Sequence, residues 1–233
     1  GASWVTIFGT GGGGGGAVSL RASSANTATS ASSLNLTIPA STQDGDLLVL
    51  FVAQVANSAT LFNAITGWTK QGEQRAGSAA FTIGVYTRIA QAGDAGATVT
   101  STSAGTAHYA GQVLAYSGAD QATPMDNTPV FSQLDTTSTT HDASAITVAS
   151  TDALLVTLYG VPTSSGTTLA ASDWTGPTSF VNELATCSNG SGNNAAIASY
   201  DMVTPGTGSQ GPFTATITQA RRWATCTLAI RPA

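Results

Sequence analysis

Asp46-Leu-Leu-Val-Leu-Phe-Val-Ala53 and Asp152-Ala-Leu-Leu-Val-Thr-Leu-Tyr159 are the two stretches on which the fold turns. Each places a carboxylate ahead of a near-continuous apolar run, too short for a typical helix and of the kind expected from a strand covered on both faces. The two lie 106 positions apart, and Gly67-Trp68-Thr69 lies the same distance from Asp173-Trp174-Thr175. Further on, Ile83-Gly-Val-Tyr-Thr-Arg-Ile89 matches Ile197-Ala-Ser-Tyr-Asp-Met-Val203, and Tyr109 to Tyr116 matches Trp223 to Ile230, both at an offset of 114. The difference of eight residues is most simply an insertion in Cys187-Ser-Asn-Gly-Ser-Gly-Asn-Asn194. Four matches in one order, with an Asp-to-Trp spacing of 22 in both copies, point to an internal duplication.

Around these runs the chain alternates in period two, as in Leu34-Asn-Leu-Thr-Ile38 and Phe81 to Thr87, and it breaks at turn-forming clusters such as Thr42-Gln-Asp-Gly45 and Gln91-Ala-Gly-Asp94. In the second copy strands are expected at Ala145–Val148, Ala153–Val161, Ala195–Val203, Phe213–Thr218 and Trp223–Arg231. No stretch offers a capped amphipathic helix. The expected fold is all-β: duplicated antiparallel β-sandwich halves of the jelly-roll kind, as two lobes or as one unit completed by strand exchange. An extended N-terminal arm at 1–30 holds the hexaglycine hinge Gly11 to Gly16, a first repeat occupies 31–119 and a second 143–233. Residues 120–142, with Pro124 and Pro129, read as a linker.

The chain has 233 residues, 7 basic and 12 acidic, so charged side chains make up 8%, about a third of the roughly 25% usual in globular proteins. With 42% apolar residues it is not a disordered chain, and with so few Glu, Lys and Arg it is not a coiled coil. A net charge of −5 excludes a phosphate-tracking surface, and nucleic acid is not an expected partner. The longest purely apolar run, Leu47 to Ala53, falls far short of the roughly 20 residues that span a bilayer, so no membrane partner is expected either. The first residues, Gly-Ala-Ser-Trp-Val, lack the basic-then-apolar pattern of a secretory signal; a signal already removed stays open.

Chemistry has little to draw on. His141-Asp142 suggests a base oriented by a carboxylate, but no Gly-x-Ser-x-Gly elbow accompanies it and the pair follows a Ser/Thr run, so it reads as a solvated loop. His108 and its counterpart Arg222 read as surface residues. Asp46 and Asp152 read as acceptors for backbone N–H groups in the turns that open the buried strands, rather than as a glycosidase pair with Glu73 or Glu183. Asp44-Gly-Asp46 is too sparse for calcium. Gly206-x-Gly-x-x-Gly211 precedes a strand-like stretch where a dinucleotide site needs a helix, and no Gly-Lys-Ser/Thr follows the hexaglycine. No catalytic residue, cofactor or metal is expected. Trp68 and Trp174 are the remaining candidates: plugs that close the end of each half, or, in a carbohydrate-binding module, platforms on which a sugar ring stacks. Cys187 and Cys226 are either two thiols in or near the core or one disulfide.

The sequence Pro39-Ala-Ser-Thr-Gln-Asp-Gly-Asp46-Leu-Leu-Val-Leu, followed by Gly67-Trp68-Thr69, Val85-Tyr86-Thr-Arg-Ile-Ala90 and Val113-Leu-Ala-Tyr116-Ser-Gly118, resembles a β-domain of tailed-bacteriophage virion proteins that also occurs in some secreted bacterial proteins. The second Asp-Ala-Leu-Leu-Val segment and the closing Leu228-Ala-Ile-Arg-Pro232 extend the likeness over roughly residues 34 to 232. These are strand and turn positions, which mark a fold more than an activity. The resemblance implies a non-enzymatic structural component on a capsid surface or in a tail, partnered by other virion proteins and copies of itself, located in the virion or otherwise extracellular. A module binding carbohydrate or a host surface is the alternative. The hexaglycine and the insertion after Cys187 have no place in the family pattern.

Overall fold

The computed structural model describes residues 16–56, 61–77, 81–204 and 206–233. Among them the chain forms β1 (Ser19–Thr37), β2 (Leu47–Ala56), β3 (Thr69–Ala76), β4 (Phe81–Ile89), β5 (Thr98–Ser117), β6 (Val130–Ala143), β7 (Ile146–Val148), β8 (Leu154–Thr163), β9 (Trp174–Thr175), β10 (Val181–Cys187), β11 (Asn194–Val203), β12 (Gly208–Gln210) and β13 (Phe213–Ile230). One 3-10 turn, Ala171–Asp173, precedes β9, and the described residues contain no α-helix. The pairings are antiparallel.

Two sheets carry the fold. The first runs β1-β5-β2-β4-β3 and the second β10-β11-β8-β13-β6, with β9 beside β13 and β7 paired separately with β12. Every strand of the first comes from the N-terminal half and every strand of the second from the C-terminal half, so neither separate lobes nor exchanged strands describe the molecule. Read from the β6 side, the second order is β6-β13-β8-β11-β10, which repeats the first position for position. The sheets pack through one core, in which Leu47, Val49 and Phe51 of β2 and Leu114 of β5 share a cluster with Val156 and Leu158 of β8, Ile197 of β11 and Leu228 of β13. Across it β1 lies against β10 and β3 against β6, so that the outer strand of each half meets the opposite edge of the other.

The apolar runs are central strands. Leu47 to Gln54 of β2 are all buried, as are Leu154 to Val161 of β8, because each strand is covered on both faces. The inner cover is the shared core. The outer cover is a ribbon of the half's own making, since β1 and β5 continue past β2. After a register shift at Ala28–Ser33, where Ser30 takes a φ of 50° and Gly105 one of 96°, residues 33–37 and 98–102 fold over the sheet. Leu34, Leu36 and Val99 thereby join Leu48, Leu50, Val52 and Val113 in a second core. The fit is close at Gly111, where a Cβ would stand 2.6 Å from Leu34. In the other half β6 and β13 make the same ribbon, bringing Ala143, Ala215 and Ile217 onto Tyr159 and Val161.

Two segments depart from expectation. Residues 19–30, read as part of a free arm, lie in β1 and pair along β5, while residues 1–15, with most of the hexaglycine, fall outside the described residues. Residues 130–142, read as linker, lie in β6 and pair with β13, so the connection reduces to 118–129. Both are edge strands rich in Ser, Thr and Ala. Their backbone bonds are supplied by the neighbouring strand while one side of each faces water, so they need no apolar run. The expected pair Phe213–Thr218 and Trp223–Arg231 is one strand bent at a register shift.

Strand pairing also resets the alignment of the halves. Leu47 stands opposite Ile89 and Tyr116, and Leu154 stands opposite Val203 and Ile230. The second strands of these pairs are 114 apart, as expected, but Leu47 and Leu154 are 107 apart, not 106. Asp152, with φ 60°, therefore corresponds to Gly45, with φ 86°, and Asp46 corresponds to Ala153. Backbone bonds agree, for Ala90 N–H donates to Asp46 O as Thr204 N–H does to Ala153 O. Asp46 fulfils the turn role: its buried carboxylate accepts the Gln43 N–H at 2.8 Å and pairs with Arg21 at 2.7 Å. Asp152 is exposed.

Candidate functional site

Trp68 and Trp174 are not equivalent. Ser103 is bridged by Phe62, and its counterpart 114 residues on, Ile217, pairs with Trp174, so Trp174 takes the place of Phe62. Trp68 corresponds instead to Phe180: Trp68 N–H donates to Ile65 O, Phe180 N–H donates to Pro177 O, and the preceding Gly67 and Ser179 have φ of 78° and 72°. The shared Asp-to-Trp spacing is a coincidence. Trp174 is 4% exposed, with its ring edge-on to His141 at 6.1 Å. It plugs the outer core and offers no face to a sugar.

Trp68 is half-buried beside a cavity of about 190 Å³, walled by Ile38, Ile65 and Val99, with Thr66, Thr98 and Thr100 at hand. Arg88, at the end of β4, stands 5.9 Å from the indole centroid and is ion-paired with Asp94, which also accepts the Gln91 N–H at 2.7 Å. The guanidinium thus covers part of the indole, and a stacking sugar would have to use the remaining surface or displace it.

His141 is buried, not solvated. It sits on β6 opposite Ala215, and since Leu34 stands opposite Ser101, it takes the place of buried Leu34. Its ring lies 6.0 Å from Trp223 and 6.1 Å from Trp174. Nε2 is 3.2 Å from Ser138 O, and Nδ1 has no partner. Burial pushes its pKa down to about 4, against smaller opposing effects of the Ser138 carbonyl and Asp142. Asp142 is exposed and accepts the Thr214 hydroxyl at 2.6 Å, so the neighbours point to opposite faces and no base–orienter pair exists. The signal that could have placed His141 was alternation, since His141-x-Ala143 matches Leu34-x-Leu36 once β5 and β13 are aligned.

Sequence reasoning missed one buried contact between the sheets. The Tyr116 hydroxyl of β5 is hydrogen-bonded to Asp201 of β11, and Asn182 Nδ2 donates to the same carboxylate at 2.8 Å. Burial raises the Asp201 carboxyl to about 6, with both hydrogen bonds opposing, and the Tyr116 hydroxyl lies well above its usual value for the same reason. Nearby, Gln112 Nε2 donates to Leu184 O at 2.7 Å, a second polar tie across the core.

Cys187 and Cys226 are free thiols. Cys226 lies in the core between the sheets and Cys187 packs at the outer core, on the other face of the second sheet, so no disulfide joins them. Burial raises both thiol pKa values. Reduction should leave the intact mass unchanged, and a thiol-titrating disulfide reagent should react slowly with Cys187 and with Cys226 only on unfolding; rapid titration of both in the native protein would contradict this placement.

Among the described residues no three His, Cys, Asp or Glu side chains converge as a metal site would require, and no helix is long and apolar enough to cross a membrane. Comparison with protein-family models, with curated proteins and with solved structures finds no match to this chain.

Proposed function

We propose that the chain is a duplicated β-sandwich acting as a non-enzymatic structural subunit of a tailed-bacteriophage particle, on the capsid surface or in the tail. The duplication is supported by the identical strand order of the two sheets and by their matching turns. The observation that carries the structural role is the edge strand β1. It runs 19 residues at the margin of its sheet, holds register from Ala22 to Ala28, and carries one charge, Arg21, with no Lys or Pro. Proteins that stay solitary guard such an edge with charge, proline, bulges or a cover, and β1 has register shifts only at the two ends of this stretch and beyond it; a chain built into an assembly pairs or buries its edge. The surface agrees, being poor in charge and rich in Ser, Thr and Ala. The phage setting rests on the resemblance of the strand and turn residues. Mass spectrometry of purified particles should find the chain in many copies; a chain absent from particles and monomeric at high concentration would end this reading.

The groove beside Trp68 favours a second reading, a module that binds carbohydrate or a host surface. Glycan-array binding that vanishes in Trp68→Ala, with melting unchanged, would promote it over the first.

A further inference from the structure

We propose that the end of the molecule where Arg221 and Arg222 emerge is a binding site for a carboxylated sugar ring, such as a uronic acid within a larger saccharide. It is separate from the Trp68 groove, for its wall includes Phe81 at the start of β4 whereas Arg88 beside Trp68 is at the other end of that strand, and it does not depend on the virion reading.

The first ground is where the positive charge goes. Of 7 basic residues, Arg21, Lys70, Arg88 and Arg231 are each ion-paired to an Asp or Glu, and Arg75 on β3 also has a partner within the protein. Arg222 has no carboxylate partner among the described residues, and Arg221 bonds only Gln219 and the Ala220 carbonyl, leaving its buried Nε without a partner. In a chain this sparing of charge, two adjacent arginines without counter-ions hold their donors for something outside the chain.

The second ground is the cavity they line, about 230 Å³, walled by Phe81 and Pro162 and edged by Thr137, Ser164 and Asn193. The last three have exposed side chains that make no hydrogen bond within the described protein, so hydroxyl and amide groups stand ready beside apolar surface. That mixture suits a pyranose, whose C–H face packs on apolar walls while its hydroxyls and carboxylate take polar partners. The volume lies below the roughly 300 Å³ at which sites begin to enclose drug-sized ligands, so it admits one ring of a longer chain. Two arginines without a row of stacking aromatics do not make a nucleic-acid track.

The test is calorimetric titration of the full chain at low salt with trigalacturonate, maltotriose and inorganic phosphate. Trigalacturonate should bind and weaken with added salt, and maltotriose should not. Arg222→Gln should weaken it about tenfold, the loss of one charge-assisted pair. Arg222→Lys should lose less because it keeps the charge, and Trp68→Ala should change nothing. Matching melting curves would show each variant folded. Absence of trigalacturonate binding, or undiminished binding in Arg222→Gln, overturns the proposal; phosphate binding as tightly as the sugar overturns the saccharide assignment; loss in Trp68→Ala alone moves the site to the other groove.

Discussion

Between pH 7 and pH 4 the stability of a His141→Leu variant is expected to rise by about 2–3 kcal/mol and that of Asp201→Asn to fall by about as much, while the unaltered protein changes little. The two groups pull in opposite directions. Asp201 has a folded pKa raised to about 6 by burial between the sheets. Its protonated form is therefore favoured by folding, and that contribution is complete below the unfolded value near 4 and lost as pH rises through about 6. His141 has a folded pKa lowered to about 4 by burial. Its contribution is complete above the unfolded value near 6.5 and lost as pH falls through about 4. Across the shared window one gain offsets the other, and removing either exposes its partner. Leucine is the apt replacement at 141 because the first half already carries Leu34 there, and it removes a buried Nδ1 that has no hydrogen bond. Urea denaturation at half-unit pH intervals would check both slopes; a His141→Leu curve parallel to the parent would mean that the ring is not buried in the neutral form.

The largest single loss of stability is expected from Phe51→Ala. Phe51 is fully buried at the middle of β2, in the core that joins the two sheets. Truncating it removes apolar contacts on both sheets and leaves a cavity, at a cost of about 3–5 kcal/mol, which is a large share of the roughly 5–15 kcal/mol that holds a domain together. Phe51→Leu should cost much less, because the corresponding residue of β8 is Leu158. Val181→Ala, at a site 58% exposed on β10, should lie within about 0.5 kcal/mol of the parent. Denaturation midpoints for the three would check this order; a Phe51→Ala protein as stable as the Val181→Ala control would show that the sheets are not held through this core.

The buried strands were legible because burial on both faces leaves an unmistakable apolar run, as in Leu47 to Ala53 and Leu154 to Val161. The edges were not. β1 and β6 are held by backbone bonds and present small polar side chains, which in sequence look like arm and linker. The correspondence of the halves was visible, but its register was not, because single-residue offsets arise at turns such as Gly45-Asp46 and Asp152-Ala153 that only pairing can place. The same effect misassigned the tryptophans, since the turn before β3 matches Pro177–Phe180 and not the stretch around Trp174. At the candidate sites the turn role of Asp46 could be read directly. The Tyr116–Asp201 contact could not, because its partners lie 85 positions apart in different sheets and neither sits in a distinctive pattern.

On the proposed duplication, the crosswise meeting of the sheets, β1 against β10 and β3 against β6, is what a twofold dimer would show with its two partners tied by residues 118–129. A true homodimer must apply every substitution twice, at two places facing each other across the axis. Fusing the partners lifts that restriction. One half can then hold leucine where the other holds histidine, or histidine where the other holds arginine, while both still fold by the same pairings.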